Sequence, residues 1–263
     1  MIGARDTWVE VAEVNPPVLP DMSHLLLDGR WNRVLVTDNV FGRIRVSPYA
    51  YAARLTHDVP SVCPTVVVST RDRNIRAIES EVRGALGNGV GSFLVVIGDT
   101  VPAVEHMAHH FEIVEHLAAL QEHLGPFGVG MPAPFKAAAF RRRADAGAQF
   151  VVSGPVLDPA RVEESVALLE REPGDPPVIL MVIPPFSTGW VARMEGVGAV
   201  PATEALKSRL ATMDAADRRA FAWDQAAEIA ERARAAGCGG VVLMGLKRET
   251  VVGEASEEWR ARR

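Results

Sequence analysis

Short apolar runs rich in β-branched residues alternate along this chain with longer stretches whose apolar positions recur every three to four residues. The stretch from Cys63 to Thr100 shows the pattern most plainly. Thr65 to Val68 is an apolar run of strand length that stops at the charged segment Ser69 to Asn74. Ile75, Ile78, Val82 and Leu86 follow at helical spacing, and that segment closes in the glycine-rich stretch Gly87 to Gly91. Phe93 to Ile97 is a second apolar run, stopping at Gly98 and Asp99. A strand, a helix and a parallel strand are predicted. In such units the carboxyl ends of the strands share one rim, so Arg71, Asp72, Arg73 and Asp99 are expected to look into one space.

The same alternation runs through the rest of the chain. Strands are predicted at Trp8–Val14, Arg33–Thr37, Phe127–Met131, Gln149–Ser153, Pro177–Ile183 and Val241–Leu246. Helices are predicted over 21–29, over Pro48–Leu55 with proline in its first turn, and over Phe111–Leu124 with Phe111, Val114, Leu117, Ala118 and Leu120 inward. Others are predicted over Phe135–Ala146, closing at Gly147, and from Asp158 as N-cap to about Glu172, with Val162, Val166 and Leu169 at helical spacing. Segments 188–195, 201–212 and 215–236 and the tail to Arg263 complete the helical set. Eight strands with helical crossovers, at a repeat of roughly 30 residues, predict a single-domain (β/α)8 TIM barrel over residues 1–263, with extra helices before the last strand. An open doubly wound sheet is the rival. It is weakened because no GxGxxG turn follows a strand, and the glycines at 87–91 precede one.

Composition narrows the function. Hydrophobic content of 48% with 23% charged residues is that of an ordinary globular protein, and a net charge of −5 offers no basic face to nucleic acid. The apolar runs are too short for a membrane span, and the N-terminal segment has acids where a secretory signal has its apolar core, which leaves the cytoplasm as the expectation. Cys63 and Cys238 have no CxxC partner, so two buried thiols are expected in place of a disulfide or zinc site. His106, His109, His110, His116 and His123 lack convergent carboxylates, so no metal is expected and these residues are assigned to a solvated surface.

At the strand ends the polar set is Glu13, Thr37, Asp38, Asn39, Arg71 to Asn74, Asp99 and Ser153. A carboxyl group at the mouth of an apolar barrel loses hydration, which raises its pKa and suits it to general acid work near neutrality. Glu13, between Ala12, Val14 and two prolines, is the best candidate, against the alternative of a carboxylate that caps a loop or pairs with an arginine. At Gly98-Asp99 the glycine allows a flat ring to approach the backbone and the carboxylate suits a developing cation; an ordinary turn is the alternative. Arg71 and Arg73 bracket Asp72, which fits an internal ion network as well as a substrate contact. Arg141, Arg142 and Arg143 sit about 100° apart on one helix, so at most two can reach a common phosphate, and a solvated face is the alternative. No GxSxG or Cys/His pair points to covalent acyl chemistry.

Taken in order, several strand-end motifs resemble those of methylenetetrahydrofolate reductases. They are Ala12-Glu13-Val14-Asn15-Pro16-Pro17, Val36-Thr37-Asp38-Asn39, Thr70 to Asn74 and Ile97-Gly98-Asp99-Thr100, followed by 145–148, 181–186, 196–201 and 241–246. The resemblance implies a (β/α)8 barrel that reduces methylenetetrahydrofolate to methyltetrahydrofolate with NAD(P)H, usually through bound FAD, within one-carbon metabolism and methionine biosynthesis. It makes Glu13 the general acid that opens the folate ring to an iminium, and Asp99 the carboxylate facing pterin and flavin. It sets Thr37 and Gly98 at the flavin, Arg142 and Arg143 at the cofactor's phosphate region, and Asp38, Asn39, Arg71 and Gly154 on the substrate side.

Departures from the family pattern matter too. Ser153-Gly154-Pro155 stands where the family has ThrGln, so Gly154 replaces a glutamine that hydrogen-bonds the folate. Met131 to Phe135 replaces a loop with ProGlu and a histidine over the flavin, and the strand-three histidine is absent. The losses fall on the cofactor side. A flavin-independent variant with direct hydride transfer is therefore expected alongside the FAD-dependent one, and Gly154 raises the prospect of another one-carbon carrier. The competing functions are an accessory, non-reducing paralogue that binds a folate or other one-carbon carrier, and a barrel lyase or corrinoid methyl-transfer partner. A homo-oligomer is left open.

Overall fold

The computed structural model describes residues 7–18, 31–99, 109–196, 198–244 and 254–263. Eight parallel strands close into a barrel in sequence order: β1 Val9–Val14, β2 Arg33–Val36, β3 Cys63–Ser69, β4 Ser92–Val96, β5 Gly128–Ala133, β6 Phe150–Val156, β7 Val178–Val182 and β8 Gly240–Leu243. The last strand pairs with the first, Val9 beside Gly240 and Val11 beside Val242. The helices are α1 Pro48–Asp58, α2 Ile75–Gly87, α3 His110–Leu124, α4 Ala137–Asp145, α5 Val162–Ala167, α6 Thr188–Gly196, α7 Glu204–Thr212, α8 Ala215–Ala235 and α9 Glu254–Arg260. This is the (β/α)8 barrel that the alternating pattern predicts, with α6 and α7 inserted before α8 and the last strand.

Strand periodicity of two sorts the residues into layers. Val9, Val11, Leu35, Val67, Leu94, Phe150, Val152, Ile179 and Val242 form one buried cluster composed of strand residues alone, which fills the barrel interior. Their neighbours, among them Ala12, Val34, Val66, Phe93, Val129, Val151 and Leu180, pack outward under the helices. Gly130 leaves room for the interior ring of Phe150, since a Cβ there would lie 2.3 Å from it. A third cluster joins Leu157 and Ile183, just past the ends of β6 and β7, to Val191, Met194, Leu206, Leu210 and Phe221 from the inserted helices and α8. Those helices therefore build over one side of the barrel mouth.

Several boundaries differ from the sequence expectation, each for a local reason. Asp158 caps a 3-10 turn at Pro159–Arg161, its Oδ1 accepting from the Ala160 amide at 3.0 Å, and α5 ends at Ala167, short of Glu172. Glu170 takes a positive φ of 47°, which breaks the helical path. The β6 strand continues past Ser153 to Val156 through an irregularity between Val152 and Pro155, where the Ser153 hydroxyl accepts from the Met181 amide at 3.0 Å. On α2, Ile78, Val82 and Ala85 are buried while Ile75 is exposed at the helix start. On α3, Ile113 is buried and Ala118 lies at the margin. Cys238 is buried, but Cys63 is exposed where β3 begins. The segments 21–29 and 245–253, and His106, lie outside the described residues.

Candidate active site at the barrel mouth

The inward alternation of β1 runs Val9, Val11, Glu13, Asn15, and that of β2 runs Leu35, Thr37. Glu13 sits beside Leu35 in the ladder, and the next inward pair is Asn15 and Thr37. The carboxyl group of Glu13 is thus carried to the upper edge of an apolar interior, with 7% of the residue exposed. Burial raises its pKa to about 7; a hydrogen bond from Asn15 works against the rise, and the negative charge of Asp99 adds to it. Among the described residues Asp99 is the charged group that shifts it, and no cation offsets the rise. The two acids, one on the first strand and one just past the fourth, therefore lie close enough to interact, Glu13 buried and Asp99 exposed. A carboxyl group poised near neutrality beside a more exposed one is an arrangement for proton donation.

Backbone geometry sets Asp99 in place. Gly98 has φ +90°, and a Cβ there would lie 2.3 Å from the Ser69 hydroxyl and 3.2 Å from Arg71 Cβ. Only glycine makes that turn this close to β3. Arg71, itself buried, donates through Nη1 to the Asp99 carbonyl at 2.8 Å and through Nη2 to the Asn39 carbonyl at 3.3 Å. One guanidinium thus clasps the ends of β2 and β4 across β3.

Other polar residues at the rim turn to structural work. Asp38 has the outward parity of β2. Its side chain is fully buried and accepts from Arg73 Nη1, while Arg73 Nε lies 3.3 Å from Glu81 and the Arg73 guanidinium 5.9 Å from the Tyr49 ring centre. Asn39 adopts the left-handed region at φ 47°, its side chain accepting from the Arg45 amide at 2.9 Å. Its amide side chain shapes a turn. Asp38, Asn39 and Arg71, assigned from the sequence to the substrate side, thus each make side-chain contacts within the protein. Gly154 faces the Phe135 ring, and a Cβ there would meet it at an ordinary 3.7 Å. The aromatic ring stands beside the position where the resembled family has glutamine.

The three arginines of α4 diverge as their spacing requires. Arg141 forms a two-point ion pair with Asp175, at 2.7 and 3.1 Å. Arg142 lies over the Phe111 ring at 4.2 Å, and Arg143 donates to the Pro132 carbonyl at 2.5 Å and the Ala139 carbonyl at 2.8 Å. His109 and His110 stack with Phe111 in the same outer cluster, where burial, then His109 and the two arginines, push the His110 pKa down to about 4. His109 is exposed, as the expected solvated surface requires, while His110 is half-buried.

The residues that the family resemblance sets at a flavin also have contacts within the protein. Thr37 gives its hydroxyl proton to Asn15 at 2.7 Å, Arg143 is committed to two carbonyls, and Arg142 belongs to a cluster between α3 and α4 in the helix layer. Among the described residues no group of three or more His, Cys, Asp or Glu is placed to hold a metal ion, and no helix is long and apolar enough to cross a membrane. Sequence reasoning passed over Asn15, read only as part of a motif, and Ser69. Both hold the inward parity of strands already identified, and that parity was the signal available to find them.

No protein-family model matches the chain, and no curated protein does. Solved structures do. An uncharacterized protein from Clostridium thermocellum, described as binding two copies of 5-methyl-5,6,7,8-tetrahydrofolic acid, superposes with TM-score 0.62 at 11% identity, over 98% of this chain and 94% of that one. EDTA monooxygenase from Chelativorans sp. BNC1 gives TM-score 0.55 at 15% identity, over 97% and 94%. A 2,3-dimethylmalate lyase of the PEP mutase/isocitrate lyase superfamily gives 0.55 at 12%, over 91% and 76%. At these identities the likeness is one of fold.

Proposed function

We propose that this barrel is an oxidoreductase that reduces the methylene group of methylenetetrahydrofolate to methyl, with NAD(P)H giving its hydride directly to the carbon. The observation that carries the reading is Glu13, a carboxyl group buried at the mouth with its pKa raised to about 7, so that a large share remains protonated at neutral pH. Its proton goes to a ring nitrogen of the folate, the C–N bond to the bridging carbon breaks, and an iminium cation forms. Asp99 supplies negative charge toward that cation. Hydride from the nicotinamide adds to the iminium carbon, leaving methyltetrahydrofolate and oxidised nicotinamide, and the Glu13 carboxylate regains its proton from solvent. Two further points support the reading: Thr37 and Arg143, which the resemblance sets at a flavin, hydrogen-bond within the protein, and a structure of the same fold is described as binding a methylated tetrahydrofolate.

The test is nicotinamide oxidation with methylenetetrahydrofolate, with and without added FAD, on wild type and Glu13→Gln. Turnover without flavin is expected, with a loss in the Gln variant of roughly 100-fold or more. Full activity in Glu13→Gln would remove the acid from the mechanism, and a requirement for FAD would remove direct transfer. A second reading, a folate-binding protein that does not reduce its ligand, is favoured by Gly154, which offers no side-chain donor where the family has glutamine. Tight calorimetric binding of the folate without nicotinamide oxidation would select it.

A further inference from the structure

Asn15 lies on the inward face of β1 two residues past Glu13, and it is the residue before Pro16. A following proline holds the backbone extended, so the side chain stays on the same face as Glu13. The segment is pinned on its outer side: the Pro16 carbonyl accepts from Arg45 Nη1 at 2.8 Å and the Pro17 carbonyl from the Val46 amide at 2.9 Å. Thr37 is held beside Asn15 by its own amide, which donates to the Val14 carbonyl at 3.0 Å. Its hydroxyl then lies 2.7 Å from Asn15 Oδ1. A hydroxyl has one proton to give, and the amide oxygen is the nearer acceptor, the Val14 carbonyl lying at 3.4 Å; giving the proton to the amide oxygen turns the amide nitrogen the other way, toward the Glu13 carboxyl group.

We propose that Asn15 is a positioning residue for Glu13, oriented by the Thr37 hydroxyl so that its N–H donates to the Glu13 carboxylate left behind when the proton is given up. This deepens the reductase reading and rests on it for its catalytic meaning, but the linkage itself is a property of the ligand-free protein. An N–H donor favours the ionised carboxyl and so opposes burial, which by itself would carry the group further from neutrality. Among the described residues the charges that face Glu13 are few. Asp99 comes from the end of β4, Arg71 from β3 is engaged with the Asn39 and Asp99 carbonyls, and Arg45 engages the Pro16 carbonyl. Among the inward-parity residues near the mouth β5 to β8 contribute Pro132, Gly154, Met181 and Met244, none of which ionises. The relay also assigns Thr37 a purpose other than the flavin contact that the family resemblance implies.

The experiment is a pH titration of the Glu13 carboxyl carbon by NMR in ligand-free protein labelled at glutamate, with Glu13→Gln to assign the signal. Asn15→Leu, which keeps the volume and removes the donor, is expected to raise the midpoint by about one pH unit. Thr37→Val releases the amide to turn its oxygen toward the acid and should shift the midpoint the same way, while Thr37→Ser should restore the wild-type value. An unmoved midpoint in Asn15→Leu, or a Ser variant that titrates with the Val variant, overturns the relay. Failure of the reductase reading has a different signature, because turnover would then be absent from wild type whatever the titrations show.

Discussion

The burial of Glu13 costs the fold stability. Raising a carboxyl pKa from 4.5 to about 7 corresponds to about 3 kcal/mol against the ionised form in the folded state. Below pH 4.5 both folded and unfolded chains are protonated and no penalty applies. As pH rises toward 7 the unfolded chain ionises while the folded one resists, and stability falls; above that range the penalty is constant. Glu13→Gln, which cannot ionise, should match wild type in urea unfolding at pH 4 and exceed it by a few kcal/mol at pH 8. An equal effect at both pH values would mean that the site is not desolvated. The same sign would govern the proposed reduction, whose rate should decline as pH rises through about 7 and the acid form is lost.

At the level of elements, much was legible in the sequence because parallel strands buried on both faces read as continuous apolar runs. Val66 to Val68 and Phe93 to Val95 are such runs, and the charged stop at Arg71 and the Gly98-Asp99 pair marked their carboxyl ends. Local spacing does not tell which way a strand-end side chain turns. Asp38 and Thr37 are adjacent and both polar, yet one faces Arg73 outside the barrel and the other Asn15 at the mouth. Nor does it show the irregularity in β6, whose cause is the Ser153 bond to a neighbouring strand. The interior layer offers a direct check. Gly130→Ala places a methyl group where Phe150 already stands and should destabilise the barrel by about 1–3 kcal/mol in chemical unfolding, with partial recovery when Phe150→Leu is added.

Over the whole molecule, closure joins the two ends of the chain twice, once through the ladder between the first and last strands and again through α9. Trp259 is buried and donates from its indole nitrogen to Glu10 Oε2 at 2.8 Å, while Trp8 and Arg263 each donate to Oε1 at 3.0 Å. Burial pushes the Glu10 pKa up, but these donors together hold it below the usual carboxylate value, so this clamp weakens as pH falls and the group is protonated. Trp259→Ala should cost about 3–5 kcal/mol by urea unfolding, and Trp259→Phe, which loses the hydrogen bond and keeps a ring, about 1–2. The barrel also has two unlike rims. The acids stand at one, and Cys63 opens β3 at the other, exposed, while burial pushes the Cys238 thiol up to about 11. A maleimide dye or a surface linker would therefore select a single anchor at the amino-terminal rim and leave the rim that carries the acids free.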